Sequence, residues 1–154
     1  MRETRRVYLD VCCLNRPFDT QAQDRLRLEA EAVLLILKHC EAGEWQWVTS
    51  AVVSHEVDAV PNRERRHRLQ EILKRAGRFV PLSDAMVERG EELKGMGLKA
   101  YDALHVACAE HAKVDVFLTT DDQLCRVATR HARRLTVRVE NPLTWLQEEL
   151  RSNE

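Results

Sequence analysis

Apolar and polar positions follow two kinds of pattern along the chain, and together these patterns predict strands that alternate with helices. Short apolar runs rich in Val, Leu and aromatic side chains are typical of buried strands. Such runs occur at residues 7–10, 45–49, 78–82, 114–119 and 135–139. The first run ends on a carboxylate, Asp10. Because a buried carboxylate without a partner is costly, Asp10 has to face solvent or be held by a cation.

Apolar residues spaced three and four positions apart predict the helices. In residues 20–40 they form one stripe, made by Leu26, Ala30, Val33, Leu34 and Leu37. Ser50, Asn62 and Ser83 precede such stripes and are predicted N-caps. The other predicted helices lie between Ser50 and Pro61 and at residues 62–77, 83–96, 99–112, 122–133 and 142–150. Strands that alternate with helices of this length predict an α/β fold, with a mostly parallel sheet and helices on both faces.

Length and composition limit the class of protein. A chain of 154 residues, 44% hydrophobic and 32% charged, has the size and balance of one compact domain over residues 1–154. The longest aliphatic run, residues 32–37, is far too short to span a bilayer, so we expect a cytoplasmic protein with no membrane contact. The net charge of −1 gives no overall attraction to nucleic acid. Binding of a polyanion would therefore depend on local basic patches.

The cysteines indicate neither a disulfide framework nor a zinc site. The chain has five, an odd number, and none forms a Cys-x-x-Cys pair. We interpret them as small core residues. The adjacent pair Cys12 and Cys13 lies just after a predicted strand. If the strand continued through this pair, the two side chains would point to opposite faces, which argues against a joint chemical role.

Four acidic residues fall where parallel strands end, which is where such sheets bind ligands. Asp10 ends the first strand, Glu56 lies in the helix after the second, Asp102 begins a helix, and Asp121 closes a strand. Each alone has an ordinary explanation, such as an N-cap for Asp121 or a solvated helix position for Glu56. Carboxylates about 4 Å apart repel by a few kcal/mol, so a cluster needs cations. Oxygen ligands favour Mg²⁺ or Mn²⁺ over zinc, and these ions support phosphodiester hydrolysis.

Four segments, in this order and spanning nearly the whole chain, carry a family resemblance: VYLDVCCLNRPFD, SAVVSHEV, YDALHVACA and VFLTTDDQL. They resemble the acidic motifs of the PIN domain, the fold of VapC-like toxin ribonucleases and related metal-dependent nucleases. The resemblance implies a three-layer α/β/α sandwich, an RNA substrate and frequent homodimerisation. For a toxin it also implies a cognate antitoxin protein. By position, Asp10, Glu56, Asp102 and Asp121 would be the catalytic, metal-binding acids.

The chain departs from the family pattern at two places. Cys12 stands where the family often has Ser or Asn, which removes a good hydrogen-bonding side chain. Gln123 and Leu124 stand where the family often has a second aspartate and an aromatic residue. Asn15 partly offsets the first departure, because its amide can orient a carboxylate or a water, although it also suits a turn before Pro17.

Other residues are candidates for contacts to the substrate. Arg16 could bind a phosphate through two hydrogen bonds, and Thr119 belongs to the Thr119-x-Asp121 pattern. Arg63 and Arg66 belong to a basic cluster that begins the helix after Glu56, although such runs are often solvated faces. His105, three residues after Asp102, lies near the same helix face. We interpret it as a histidine packed beside the site, because the metal hypothesis does not need it.

Two classes of function compete with a ribonuclease. A catalytically weak PIN-like module would keep the fold and act by binding protein or RNA, which the changes at positions 12 and 123 favour. A phosphatase of the haloacid dehalogenase type would have an aspartate two residues after Asp10, and Cys12 is there instead. DNA as substrate stays open, because no element of the sequence recognises a 2′-hydroxyl.

Overall fold

A parallel sheet of five strands organises the fold in the computed structural model, which describes residues 4–152. Residues 1–3 and 153–154 of the predicted single domain lie outside the described residues. The strands are Arg5–Leu9 (β1), Trp45–Ser50 (β2), Arg78–Val80 (β3), Val116–Leu118 (β4) and Arg138–Glu140 (β5). Their order across the sheet is β3-β2-β1-β4-β5, and every pair is parallel. This confirms the predicted parallel sheet.

The helices form the two outer layers of a three-layer α/β/α sandwich. In the described residues they are Val11–Asn15 (α1), Asp24–Glu41 (α2), Ala51–Asp58 (α3), Arg63–Leu73 (α4), Asp84–Lys94 (α5), Ala100–His111 (α6), Asp122–Arg130 (α7) and Pro142–Ser152 (α8). Single 3₁₀ turns occupy Arg16–Phe18 and Ala132–Arg134. Helix α2 packs on α8, and α5 packs on α6. None of the helices in residues 4–152 is long and apolar enough to cross a bilayer.

The predicted N-caps are confirmed, and one of them lies at the carboxyl end of a strand. The side chains of Ser50, Asn62 and Ser83 each accept a hydrogen bond from a backbone N–H of the helix that follows. A capping bond of this kind typically stabilises a helix by about 1 kcal/mol. Ser50 is also the last residue of β2, so helix α3 starts directly at the carboxyl end of that strand.

The core is densest around the two central strands. Val7, Tyr8 and Leu9 of β1 are completely buried, as are all residues of β4. The ring of Tyr8 stacks on that of Phe117, with ring centroids 5.2 Å apart. Strands covered on both faces in this way read as continuous apolar runs, which explains the pattern in the sequence.

The chain turns into a helix directly after Asp10, which the strand pattern does not predict. The Asp10 carbonyl accepts hydrogen bonds from the N–H groups of Cys13 and Leu14, which start α1. Cys12 and Cys13 therefore lie on a helix, and the assumption that they alternate along a strand is wrong. Cys13 is buried, whereas Cys12 is partly exposed. All five cysteines of the chain are free thiols in the structure.

Candidate metal centre

Three of the four predicted acids are carried by segments that follow central strands, and the fourth, Asp102, lies in the helix that precedes β4. Asp10 comes directly after β1, and Asp121 follows β4 and precedes α7. Glu56 lies in α3, which starts at the end of β2, and Asp102 lies in the first turn of α6. The Asp10 N–H donates to the carbonyl of Leu118 over 3.0 Å, which holds the ends of β1 and β4 together. The parallel topology thus directs these acids to one edge of the sheet.

Asp10 is held firmly by neutral donors. It is only 6% exposed, and its Oδ2 accepts a hydrogen bond from the Thr119 hydroxyl at 2.9 Å. The Cys12 thiol donates to the same oxygen at 3.3 Å and also accepts the N–H of Thr120. Cys12 therefore still supplies a hydrogen bond to the acid, despite its departure from the family pattern. The other carboxylate oxygen, Oδ1, lies 3.9 Å from Nε2 of His105.

His105 contacts Glu56 and is the site residue that sequence reasoning underrated. Its side chain is completely buried, and its Nε2 is hydrogen-bonded to Oε1 of Glu56. Its other ring nitrogen, Nδ1, lies 2.7 Å from the hydroxyl of Tyr8. Carboxylate oxygens of Asp10 and Glu56 and a ring nitrogen of His105 all lie within 4.8 Å of one another. The spacing of three residues from Asp102 was the available signal, because it places His105 on the site's face of α6.

Asp102 and Asp121 both line one small cavity, together with Gly97 and Lys99. The pKa of Asp102 is raised to about 6, chiefly by burial and then by the negative charges of Asp10 and Asp121, while His105 acts to lower it. Asp121 is the N-cap of α7, since its Oδ1 accepts the N–H groups of Gln123 and Leu124. The ordinary explanation for Asp121 is thus correct, but its charge still acts on Asp102.

In the part of the chain that the structure describes, the four acids of the cluster have no lysine or arginine partner in an ion pair. Several carboxylates brought together in this way repel, and a hard cation with oxygen ligands is the partner that offsets the repulsion. Asp10 and Glu56 lie in one compact group with His105, whereas Asp102 and Asp121 are not part of that group, so Asp10 and Glu56 are the two acids whose placement best fits a divalent ion.

Arg16 belongs to a separate ionic network around Glu29, which we call the Glu29 network. Glu29 is only 1% exposed, and its carboxylate accepts a hydrogen bond from the Asn141 amide at 2.6 Å and forms an ion pair with Nε of Arg16 at 3.3 Å. Nε of Arg25 lies 3.5 Å from the same carboxylate, while the Arg25 guanidinium also donates to Asp122. Arg16 further pairs with Asp19. The Arg16 guanidinium is therefore engaged by two carboxylates.

The other residues predicted to contact the substrate differ in how exposed they are and in what they bind. Thr119 is completely buried behind Asp10. Asn15 ends α1, and its Oδ1 is buried without a hydrogen-bond partner in the described residues. Arg66 donates to the carbonyl of Val60, whereas the side chain of Arg63, in the first turn of α4, is exposed. Among these residues, Arg63 is the most accessible cation.

Comparisons with known proteins agree with the fold. A family model for the PIN domain matches residues 7–130, a stretch that contains all four acids. A comparison with curated proteins gives no match. Nineteen chains of solved structures match, among them one from the crystal structure of VapBC2 from Rickettsia felis bound to a DNA fragment from their promoter. That chain is 15% identical, with a TM-score of 0.56, and the match covers 88% of this chain and 98% of that one.

Proposed function

Because the chain belongs to the PIN domain family, we propose that it is an endoribonuclease that depends on Mg²⁺ or Mn²⁺ and hydrolyses phosphodiester bonds of RNA. One observation carries the proposal: four acids lie at the carboxyl edge of a parallel sheet, and no lysine or arginine of the described residues pairs with them. A structural cluster would be expected to contain its own cations.

The residues around the acids have distinct tasks in this proposal. A divalent ion bound here would activate water and neutralise charge on the phosphodiester. Asp10, Glu56, Asp102 and Asp121 would hold it, with Thr119 and Cys12 fixing the orientation of the Asp10 carboxylate. Because Thr119 is buried, we assign it to this positioning and not to substrate contact.

Basic and amide side chains near the acids would bind the RNA backbone. We retain Asn15, Arg63 and Arg66 as candidates, with Arg63 the strongest because its side chain is exposed. Arg16 instead holds the segment after α1 through its contacts with Glu29 and Asp19. Replacing Arg63 with Gln should weaken RNA binding more at low than at high salt, since phosphate contacts are screened by salt.

The decisive experiment is cleavage of labelled single-stranded RNA and DNA by the purified protein with Mg²⁺, with Mn²⁺ and with chelator. We expect metal-dependent RNA cutting that is lost in Asp10→Asn and Asp102→Asn. Asp24→Asn is the matched control, because Asp24 is a highly exposed acid at the start of α2, paired with Arg27. Equal cutting by wild type and both site variants would overturn the assignment. Absence of cutting across varied RNAs would favour the binding module, to which the Gln123 departure also points.

A biological role as the toxin of a toxin–antitoxin pair is a further part of the proposal. It is supported by the family and by the structural likeness to a chain of a VapBC2 assembly. Induced expression of the wild type should arrest growth of a bacterial host, whereas Asp10→Asn should not. Light scattering of the purified protein is a separate measurement, and it tests the proposed homodimer. Growth unaffected by folded, active protein would exclude the toxin role while leaving the nuclease assignment intact.

A further inference from the structure

A chain of hydrogen bonds lies buried behind Glu56 and connects three segments of the fold. Nδ1 of His105 is 2.7 Å from the Tyr8 hydroxyl, which in turn is 2.6 Å from Oγ of Ser50. Oγ of Ser50 accepts the backbone N–H of Val53 at 3.3 Å. Tyr8, Ser50 and His105 are all completely buried, so no solvent competes with these bonds. The chain thus begins at the N-cap of α3 and ends on Glu56 of the same helix.

The chemistry of the members fixes the direction in which the protons point. An ionised carboxylate only accepts, so Nε2 of His105 has to carry the proton it shares with Glu56. In the neutral ring Nδ1 is then bare and accepts the Tyr8 O–H. Burial raises the pKa of Tyr8 well above its ordinary value, so its hydroxyl keeps the proton it donates. The Tyr8 oxygen accepts from Ser50, and every donor in the chain has an acceptor.

Hydrogen bonds that run in the opposite direction along this chain would leave an unfavourable contact between His105 and Glu56. If Nδ1 carried the only ring proton, it would donate to the Tyr8 oxygen, and a bare Nε2 would face the Glu56 carboxylate. Two acceptors would then be in contact without a proton between them, in surroundings where unsatisfied polar groups are costly. The Glu56 carboxylate therefore favours the Nε2–H tautomer of His105, and the Tyr8 hydroxyl stabilises that tautomer by donating to Nδ1 from the other side of the ring.

We propose that His105 is a positioning residue: as the Nε2–H tautomer, stabilised by the hydrogen bonds of Tyr8 and Ser50, it holds Oε1 of Glu56 and leaves Oε2 for the cation. The metal-related part rests on the proposed function, whereas the tautomer does not. Side chains that orient metal ligands through hydrogen bonds are known to alter metal affinity about 10-fold to 100-fold when they are replaced. His105 would thus set the metal affinity of the site without binding the metal.

The tautomer can be measured directly in the metal-free protein. Nitrogen–hydrogen NMR correlations of the imidazole rings distinguish a protonated nitrogen from a bare one, and the signals missing in His105→Gln assign His105. We expect protonated Nε2 and unprotonated Nδ1 at neutral pH in the wild type, and a smaller fraction of this tautomer in Tyr8→Phe, which loses the donor to Nδ1. Tyr8→Phe keeps a ring to stack on Phe117 and removes only the hydroxyl. A ring protonated at Nδ1, alone or together with Nε2, would overturn the proposal.

Binding of Mn²⁺ without RNA tests the consequence for the metal. His105→Leu should weaken binding about 10-fold or more, and His105→Gln should recover part of the loss because its amide N–H can donate to Glu56. His111→Gln is the matched control, since His111 is an exposed histidine in the last turn of the same helix. If His105→Leu does not fold, Tyr8→Phe should still weaken binding by a smaller factor. Unchanged affinity in folded His105→Leu and Tyr8→Phe would overturn the positioning role.

The NMR measurement of the tautomer and the measurement of Mn²⁺ binding together distinguish failure of this inference from failure of the proposed function. A wild-type protein that binds no Mn²⁺ but shows the Nε2–H tautomer would contradict the metal site and uphold the hydrogen-bond chain. A wild-type protein that binds Mn²⁺ with the other tautomer would uphold the metal site and contradict the role of His105.

Discussion

The Glu29 network and the acid cluster at Asp10 are both buried acidic sites. They differ in which groups of the protein surround the negative charge. Glu29 is 1% exposed and is contacted by two guanidinium groups and one amide. Asp10 is 6% exposed and is contacted by a hydroxyl, a thiol and a neighbouring histidine. Within residues 4–152, an arginine balances the first carboxylate, and no lysine or arginine balances the second.

The difference separates a structural site from a functional one. A buried ion pair that is complete holds segments together and has no reason to bind an external ion. A buried carboxylate surrounded by other acids and neutral donors is destabilised until a cation arrives. Arg25 links the two sites. It contacts Glu29 and donates to Asp122, the neighbour of Asp121. The Glu29 network is therefore linked to the segment that carries Asp121.

The largest effect should come from breaking the complete site. Glu29→Gln removes one of the two carboxylates that pair with Arg16, a mostly buried cation, and should lower the free energy of unfolding by about 3 kcal/mol. Urea unfolding followed by circular dichroism measures this. Glu31→Gln is a suitable control, because Glu31 is an exposed acid two residues further along the same helix. A loss as small as that of the control would show that the Glu29 network contributes little.

Adding a divalent ion should affect only the incomplete site. Mn²⁺ at about 100 times its Kd should stabilise the wild type by about 2.7 kcal/mol, because it binds the folded state alone. Asp10→Asn should abolish this gain, whereas a folded Glu29→Gln should retain most of it. Thermal unfolding with and without Mn²⁺ gives the comparison. Equal stabilisation of wild type and Asp10→Asn would place the binding site elsewhere.

Neutralising one acid of the cluster should stabilise the metal-free protein. The pKa of Asp102 is raised to about 6, so the folded state holds a proton more tightly than the unfolded state does. The resulting stabilisation is fully present below the ordinary pKa range of aspartate and is lost as the pH rises through about 6. At pH 7 and without metal, Asp102→Asn should therefore gain about 1 kcal/mol over the wild type. Unfolding measured across pH should show this gain disappear in acid; a loss of stability at pH 7 would contradict it.

The smallest effect should come from the link between the two sites. Asp122 and Arg25 are both about half exposed, with side-chain accessibilities of 50% and 55%. Exposed pairs of this kind contribute little, so Asp122→Asn should cost about 0.5 kcal/mol and depend on salt. Chemical unfolding at low and high salt measures it. A large loss that also removes Mn²⁺ binding would show that the link, and not only the acids, maintains the metal site.

The elements of the fold follow from local rules, and the contacts of the site do not. The caps at Ser50, Asn62 and Ser83 were predictable because capping depends on residues within one helical turn. Helix α1 was missed because five residues are too few to show a helical period.

The expectation that the acids gather at one edge used only the rule for parallel strands. The contact of His105 with Glu56 joins residues 49 positions apart, and that of Arg16 with Glu29 depends on how α2 packs. No local pattern encodes either pairing, so the structure was needed to separate the positioning residues from the ligands.

The hydrogen bond between Asp10 and Thr119 also has a consequence for biosynthesis. It joins residues 109 positions apart, and β1 pairs with β4 across the same interval. A growing chain on the ribosome can form β1 and β2 early, but Asp10 has no Thr119 until β4 has been made. Contacts of such long range form late in folding. A nascent chain therefore cannot form the contact between Asp10 and Thr119 before β4 has been synthesised, and the proposed metal site would be completed only after that point.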